Sequence, residues 1–410
     1  MKFIAFNLMP YRELPADFEK SYSSVWVDIP RRLYDPVQGA QMYMDYLEEL
    51  ELAVDLGYDA VGVNEHHQNA YGMMPSPNLW AASLARKVRE SESTSLMVLG
   101  NSLALYNPPV RVAEEFAMLD ALSGGRLIAG FPTGSSQDVN YSYGINPAEL
   151  RDRYHEAHDL IIKAWAAKDI FAFNGTYTQL RYVNLWPRLI QEPRPPVWVP
   201  GGGSLETYDF ALTNGYNFSY LSFYGYKYAK SLMDMFWKRA DELGVERNPF
   251  QGAFAQFVLV SESDEQAREE YEEHVMYFYR KCMHIDPHYV EAPGYRSARS
   301  TKNVLKARLE GTSRSGRDVL KGGFGWDELR AAGYIIAGSP ETVRNELEAA
   351  ARSLNVANVA LLLQVGSAPH ELTCKNTTLF AKEVMPALRG VFSEFDPTDY
   401  WPAAAQPATQ

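Results

Sequence analysis

Asn64-Glu65-His66-His67-Gln68 places two imidazoles directly after a carboxylate, in a chain of 410 residues that has only eight histidines. Imidazole changes charge near neutral pH, so a histidine on an open loop serves as general acid or base, and a neighbouring carboxylate sets its tautomer. Residue type alone leaves three readings open: proton chemistry, a metal site, or a histidine capping a loop or helix. A metal needs a third ligand, and no HExxH or similarly spaced set accompanies the pair. A second candidate is "GGGSLET" (201–207), where the amides of Gly202, Gly203 and Ser204 at a helix start would cradle a phosphate, although a glycine run alone also reads as a mere turn. His155 and His158 share a helix face at i and i+3, which fits a solvated, ion-paired face better than a metal pair. "MYFYRKCMHIDPHY" (276–289) reads as core packing or as the wall of an apolar pocket, and Met73-Met74, close to the histidines, is a further candidate wall.

These groups need elements to hold them. Eight short β-rich runs recur along the chain: 2–8, 59–63, 95–101, 126–131, 196–200, 217–222, 253–261 and 356–364. Helical periodicity falls between them, over Ala40 to Leu56, Leu79 to Arg89, Val110 to Leu122 and Leu150 to Ala167, with a last helix from Lys375 to Arg389. Gly124-Gly125 stops the third of these helices. Strand and helix alternating along most of the chain predict an α/β fold, a (β/α)8 TIM barrel, whose chemistry sits at the C-terminal ends of the strands. Glu65, His66 and His67 fall just past the second strand, where a barrel keeps its site. A dinucleotide-binding α/β fold would need GxGxxG after the first strand, where Asn7-Leu8-Met9-Pro10 stands instead. Two stretches break the alternation, about 169–195 and 263–335, and both are expected as insertions at the C-terminal face, the second as a lid or a packed helical insertion. Residues 1–395 would form a single domain and 396–410 a disordered tail.

A formal charge of -12 argues against a nucleic-acid backbone or an anionic membrane as the main partner. Cys282 and Cys374 stand far apart without a CxxC pair, so neither a disulfide framework nor a thiolate zinc site is indicated, and a reducing cytoplasm is the simplest compartment. No apolar run of membrane-spanning length occurs, and the opening MKFIAFNLMPYRELP is broken too early by Pro10, Arg12 and Glu13 to read as a signal peptide.

The string "PPVRVAEEFAMLDALSGGRLIAGFPTG" (108–134), taken with "EHH" (65–67), resembles the bacterial luciferase-like, flavin-dependent monooxygenases. "PVWVPGGGSLETYDFALTNGYN" (196–217) is similar to that family's fifth strand and phosphate-side turn, and "IAGSPETVRNELEAAARSLNVANVALL" (336–362) to its closing segment, so the resemblance spans nearly the whole chain. The resemblance implies that His66 is the catalytic histidine beside the isoalloxazine, that Glu65 orients that site and that His67 supports structure. It implies that Gly100-Asn101 bends the third strand against the flavin, through a non-proline cis peptide or a simple β-bulge. It places Thr133, Gly134 and Ser136 at the ring or ribityl chain and Tyr154 near the phosphate. Many relatives carry a bulkier or charged residue where Thr133 stands, which weakens the transfer of a phosphate-binding arginine to this chain.

For activity, the resemblance implies a two-component monooxygenase: reduced FMN supplied by a separate flavin reductase, O2 as co-substrate, and a flavin peroxide adduct that oxygenates an apolar aldehyde, ketone or ring compound. Pairing through the helices flanking the second and third strands would make it a homodimer. Other readings are a deazaflavin-dependent hydride-transfer enzyme on the same barrel, a non-catalytic flavin-binding subunit, and a metal hydrolase. The Glu-His-His triplet favours FMN chemistry, and the absent ligand spacing disfavours the metal.

Overall fold

A computed structural model describes residues 1–221, 223–309, 320 and 323–403. Eight parallel strands close on themselves: β1 (Lys2–Phe6), β2 (Ala60–Val63), β3 (Ser95–Val98), β4 (Leu127–Gly130), β7 (Val197–Gly201), β8 (Asn217–Tyr220), β9 (Gly252–Val260) and β11 (Asn358–Leu362). Pairing of Phe218 with Gly252 and of Ile4 with Ala360 completes the ring on either side of β9 and β11. Every residue of β2, β3, β4, β8, β9 and β11 is buried, as required where side chains fill the barrel on one face and meet helices on the other. Those runs are apolar without alternation for the same reason.

The eight expected strands are the eight of the barrel, six of them shorter than expected and two, β7 and β9, shifted by one residue at the expected length. A ninth, β10 (Ile335–Gly338), pairs with Phe257–Val260, beyond the point at which β8 leaves β9. The helices expected at Val110 and Leu150 start there, whereas others start earlier than apolar spacing indicates. Asp35 accepts from the amides of Val37 and Gln38 and caps the helix Pro36–Asp55, and the second helix likewise opens with proline, at Pro77. The helix expected to run from Lys375 to Arg389 begins at His370, widens to a π-type turn over Phe380–Val384 and restarts before Pro386. Among the described residues no helix is long and apolar enough to cross a membrane.

The two insertions lie on different sides of the barrel. Residues 169–195 leave the end of the helix Leu150–Ala166, opposite the strand C-termini, and form the hairpin β5 (Phe171–Asn174) and β6 (Gln179–Val183). The hairpin turn is fastened to that helix by Glu156, which accepts from the amides of Thr176, Tyr177 and Thr178, while the Ile190 amide donates to Asp120. Placing this stretch at the C-terminal face is therefore corrected: it joins a helix to the next strand, and such connections return on the other side.

The segment 263–335 does cross the mouth. Its middle is tied to the loop after β4, since Ser136 accepts from the Ala292 amide (2.8 Å), Tyr295 donates to the Gly134 carbonyl (2.7 Å), and Gln137 donates to the carbonyls of Tyr289 and Val290. Ser297 then reaches Glu206 at 2.6 Å, on the helix after β7. This part is a packed strap. Residues 310–319, 321 and 322 lie outside the described residues.

The stretch expected as tail packs onto the barrel as far as Trp401. Its indole sits edge-on to Trp198 at 5.7 Å and donates to Asn358 Oδ1 (2.9 Å), while Trp198 donates to the Tyr400 carbonyl. Residues 404–410 lie outside the described residues.

Candidate functional site

One cavity of about 1560 Å³ opens at the C-terminal ends of the strands. Of the residues singled out from sequence, Glu65, His66, Thr133, Gly134, Gly202, Gly203 and Ser204 line it. Gly100, Asn101, Ser136 and Tyr154 do not, nor do Met73 and Met74. Ser136 is used by the strap, and the Tyr154 hydroxyl donates to the Phe131 carbonyl at 2.8 Å within the core. The amide of Asn101 is spent on Asn78, each side chain donating to the other. Cis peptides among the described residues precede Pro108, Pro187 and Pro193, and β3 turns instead by placing Asn101 in the left-handed region at φ 68°. Gly100 still matters for space: a side chain there would press on Glu65 and Asn64 at 3.0–3.1 Å.

The loop after β2 is folded tightly around the histidines. His66 N–H donates to Met74 O, the Met73 N–H to Met9 O, and the Gly72 N–H to Asn69 Oδ1. Gly72 lets the chain pass behind the imidazole, where a Cβ would stand 2.9 Å from His66 Cδ2. His66 stands edge-on against both Trp26 (5.0 Å) and Tyr71 (4.9 Å), which themselves stack at 3.8 Å.

His66 Nδ1 lies 2.8 Å from Asp138 Oδ2. Asp138, on a π-type turn after β4, also accepts from Ser135 Oγ (2.7 Å), the His67 N–H (2.8 Å) and Asn69 Nδ2 (3.2 Å). Burial alone would raise this carboxyl. The charge and hydrogen bond of His66, the His67 amide and Ser135 outweigh burial and hold Asp138 below its ordinary value. An ionised Asp138 accepts only, so Nδ1 carries hydrogen and Nε2 is the ring nitrogen left for the cavity.

The carboxylate adjacent in sequence does something else. Glu65 accepts from the Ser102 N–H and the Tyr106 hydroxyl, both at 2.6 Å, with His67 Nε2 at 3.3 Å. The last of these is an ion-pair distance without hydrogen-bond geometry. Burial pushes Glu65 up, but His67, Ser102 and Tyr106 together bring it below its usual range. Glu65 therefore anchors the floor to the loop after β3, and Asp138 orients His66. His67 braces Glu65.

At the other end, Ser204 caps the helix Leu205–Thr213 by accepting from the Thr207 N–H. A Cβ on Gly202 would meet nothing within 4 Å, so this turn opens into the cavity. Arg151 lines the same cavity, and its buried Nε has no hydrogen-bond partner among the described residues. Its charge reaches Glu206 in the first turn of that helix. Burial would raise the Glu206 carboxyl, but Ser297, the backbone N–H and Arg151 outweigh it. An orphaned guanidinium nitrogen beside free amides at a helix start suits a phosphate, so the residues present fit the end of an FMN-like cofactor. Between the two ends Gly134, at φ 90°, faces Val139 and Ser102 so closely that no side chain fits.

Elsewhere on the helix Leu150–Ala166 the histidine pair divides, His155 being exposed and His158 not. His158 is buried and bonded to Tyr216 (2.8 Å), and His155 packs on Phe210. Among the described residues, no three His, Cys, Asp or Glu side chains gather as a metal-ligating group. The aromatic run from Met276 is core: Phe278 packs on Tyr71, Phe223 and Phe257.

A family model for luciferase-like monooxygenases matches residues 26–357. The chain belongs to that family. It is 28% identical over 191 residues to the oxygenase component of a flavin-dependent trigonelline monooxygenase from Acinetobacter baylyi, covering 45% of this chain and 50% of that protein. It is 32% identical over 161 residues to an F420-dependent glucose-6-phosphate dehydrogenase from Kineococcus radiotolerans, covering 37% and 44%. The chain spans about half the length of the curated relatives it matches. Among solved structures, the monooxygenase RslO1 from Streptomyces bottropensis superposes with a TM-score of 0.66 at 21% identity, over 94% of this chain and 99% of that one, a likeness of fold.

Proposed function

We propose that this protein is the oxygenase component of a two-component monooxygenase, using reduced FMN from a separate flavin reductase, and O2, on a small, largely apolar organic substrate. The observation that carries this reading is the Asp138-His66 pair on the wall of the same cavity that holds the Arg151 and Gly202–Ser204 end. A volume of about 1560 Å³ exceeds the roughly 300–1,000 Å³ of an ordinary single-ligand pocket, which supports joint occupancy by cofactor and substrate. Reduced flavin, when bound, supplies the electrons that activate oxygen.

The chain's own residues supply the rest. Arg151 and the turn amides hold the anionic end. His66, fixed by Asp138, holds or moves a proton at Nε2 on the cavity side, and Asp138 itself only positions the ring. Phe6, Leu8, Trp26, Tyr71 and Leu99 form apolar walls that accept an apolar or ring substrate and exclude water. The strap around Glu291 to Ser300 closes part of the mouth.

The F420-dependent relative favours a second reading, hydride transfer from a reduced deazaflavin on the same barrel. Anaerobic titration with reduced FMN and reduced F420, followed by oxygen uptake, separates the two. Tight binding of reduced FMN with oxygen consumption supports the first, selective F420 binding the second, and binding of neither sinks both. A homodimer fits the exposed Val37, Met44, Leu79, Met118 and Leu122, which lie on three successive barrel helices. Sedimentation as a single 46.3 kDa particle at micromolar concentration would remove that part of the proposal.

A further inference from the structure

Asn64, the residue before Glu65, is 6% exposed and lines the cavity, yet its Oδ1 has no hydrogen-bond partner among the described residues. Its neighbours are all engaged: Glu65 with Ser102 and Tyr106, His66 with Asp138, and Asn101 with Asn78. A buried amide oxygen without a partner is costly, and native folds keep such a group chiefly where something else completes it. Gly100 adds no side chain here, and a Cβ on it would stand 3.1 Å from the Asn64 backbone. A carboxamide offers a donor and an acceptor side by side, the pattern that pairs with an adjacent N–H and C=O.

Resting on the flavin reading above, we propose that Asn64 is the ring-binding residue of the cavity floor, its carboxamide pairing with the polar N–H and C=O edge of the bound flavin. Asn101, expected where the third strand bends against the flavin, does not compete for this role, because its amide is already consumed within the fold.

The test is fluorescence titration of the full chain with FMN and with riboflavin, which has the same ring without the phosphate. Asn64→Leu should weaken both by about 2- to 12-fold for each hydrogen bond lost. The melting temperature of the free protein should stay level or rise, since an unsatisfied polar group is replaced by an apolar one of similar size. Should Asn64→Leu fold poorly, Asn64→Ser keeps one hydroxyl and should fall between it and the wild type. Equal binding of both flavins by wild type and variants overturns the assignment. Loss of FMN binding with riboflavin unaffected overturns it too, because that pattern belongs to the phosphate end. A wild-type protein that binds neither flavin sinks the flavin reading itself, and this inference with it.

Discussion

Replacing Asp138 with asparagine should disable His66 while leaving its position almost intact. Asp138 Oδ1 is held by two fixed donors, the His67 N–H at 2.8 Å and Asn69 Nδ2 at 3.2 Å, so an asparagine keeps its oxygen there. Its NH2 then falls where Oδ2 was, 2.8 Å from His66 Nδ1 and 2.7 Å from Ser135 Oγ. The serine hydroxyl rotates and accepts. The imidazole, packed against Trp26 and Tyr71, has no such freedom, so Nδ1 must become the acceptor and the hydrogen moves to Nε2. Long-range proton–nitrogen correlation spectra of the eight histidines read this tautomer directly and need no substrate. Turnover should fall roughly 10²- to 10⁴-fold, the range for loss of a positioned acid or base and of the same tautomer switch in a hydrolase triad. Stability should drop by about 1–3 kcal/mol as charge-assisted hydrogen bonds become neutral ones. Because the folded-state carboxyl lies below its unfolded value near 3.8, that contribution is present above this pH and is lost as pH falls through the folded value. The stability gap between wild type and Asp138→Asn should therefore close in acid. An unchanged tautomer, or turnover within threefold of wild type, would refute the reasoning.

Three other changes probe separate parts. Arg151→Gln should weaken FMN by about 10- to 100-fold and leave riboflavin alone, the worth of a charged hydrogen bond to phosphate; equal losses would place Arg151 elsewhere. Glu49 is buried between Asn7 and His370 (2.9 and 3.4 Å), and burial pushes its carboxyl up to about 7 against the pull of His370 and Arg12. Its proton, and that of His370, which Glu49 holds above the ordinary imidazole value, favour the fold below the unfolded values of 4.5 and 6.5 and are lost as pH rises through the folded ones. Wild type should thus lose stability from pH 5 to 8, and Glu49→Gln should flatten that fall by at most on the order of 3 kcal/mol; parallel melting curves would contradict it. Trp401→Ala removes an indole that is 5% exposed, and should cost about 3–5 kcal/mol in denaturant titration. A change under about 1 kcal/mol would return Trp401 to the status of a loose tail.

The barrel was legible because each of its parallel strands is buried on both faces and so stands out as an apolar run. What such runs do not mark is where a segment attaches. Ile335–Gly338 lies in a motif that reads as the approach to the last strand, and only its pairing with β9 shows it to be a strand of its own. Helix starts at Pro36 and Pro77 were missed because a first turn is set by caps and proline, not by apolar spacing. The insertions were visible as breaks in periodicity, but their side of the barrel depends on whether they follow a strand or a helix, which places 169–195 away from the mouth.

The site divides along the same line. Residues 65–67 could be placed just past β2 because position after a strand is a one-dimensional property, and the family resemblance singled out His66 among them. Its carboxylate could not be found by adjacency, since Asp138 is 72 residues away, on a turn whose only mark is a short polar residue behind "TGSS". That Glu65 does not hold the His66 ring was nevertheless foreseeable. Successive side chains of extended backbone leaving a strand point to opposite sides, so Glu65 and His67 share one side and His66 takes the other. The side-chain contacts of Glu65 and His66 follow that alternation: Glu65 meets His67 at 3.3 Å and turns to the loop after β3, while the His66 ring meets Asp138, brought from the loop after β4. A pair of neighbouring acid and base residues on an extended exit loop is thus poorly placed to act as one unit. The partner of the catalytic candidate has to come from another strand's loop, and the wall of the cavity shared by β2 and β4 is where the fold supplies it.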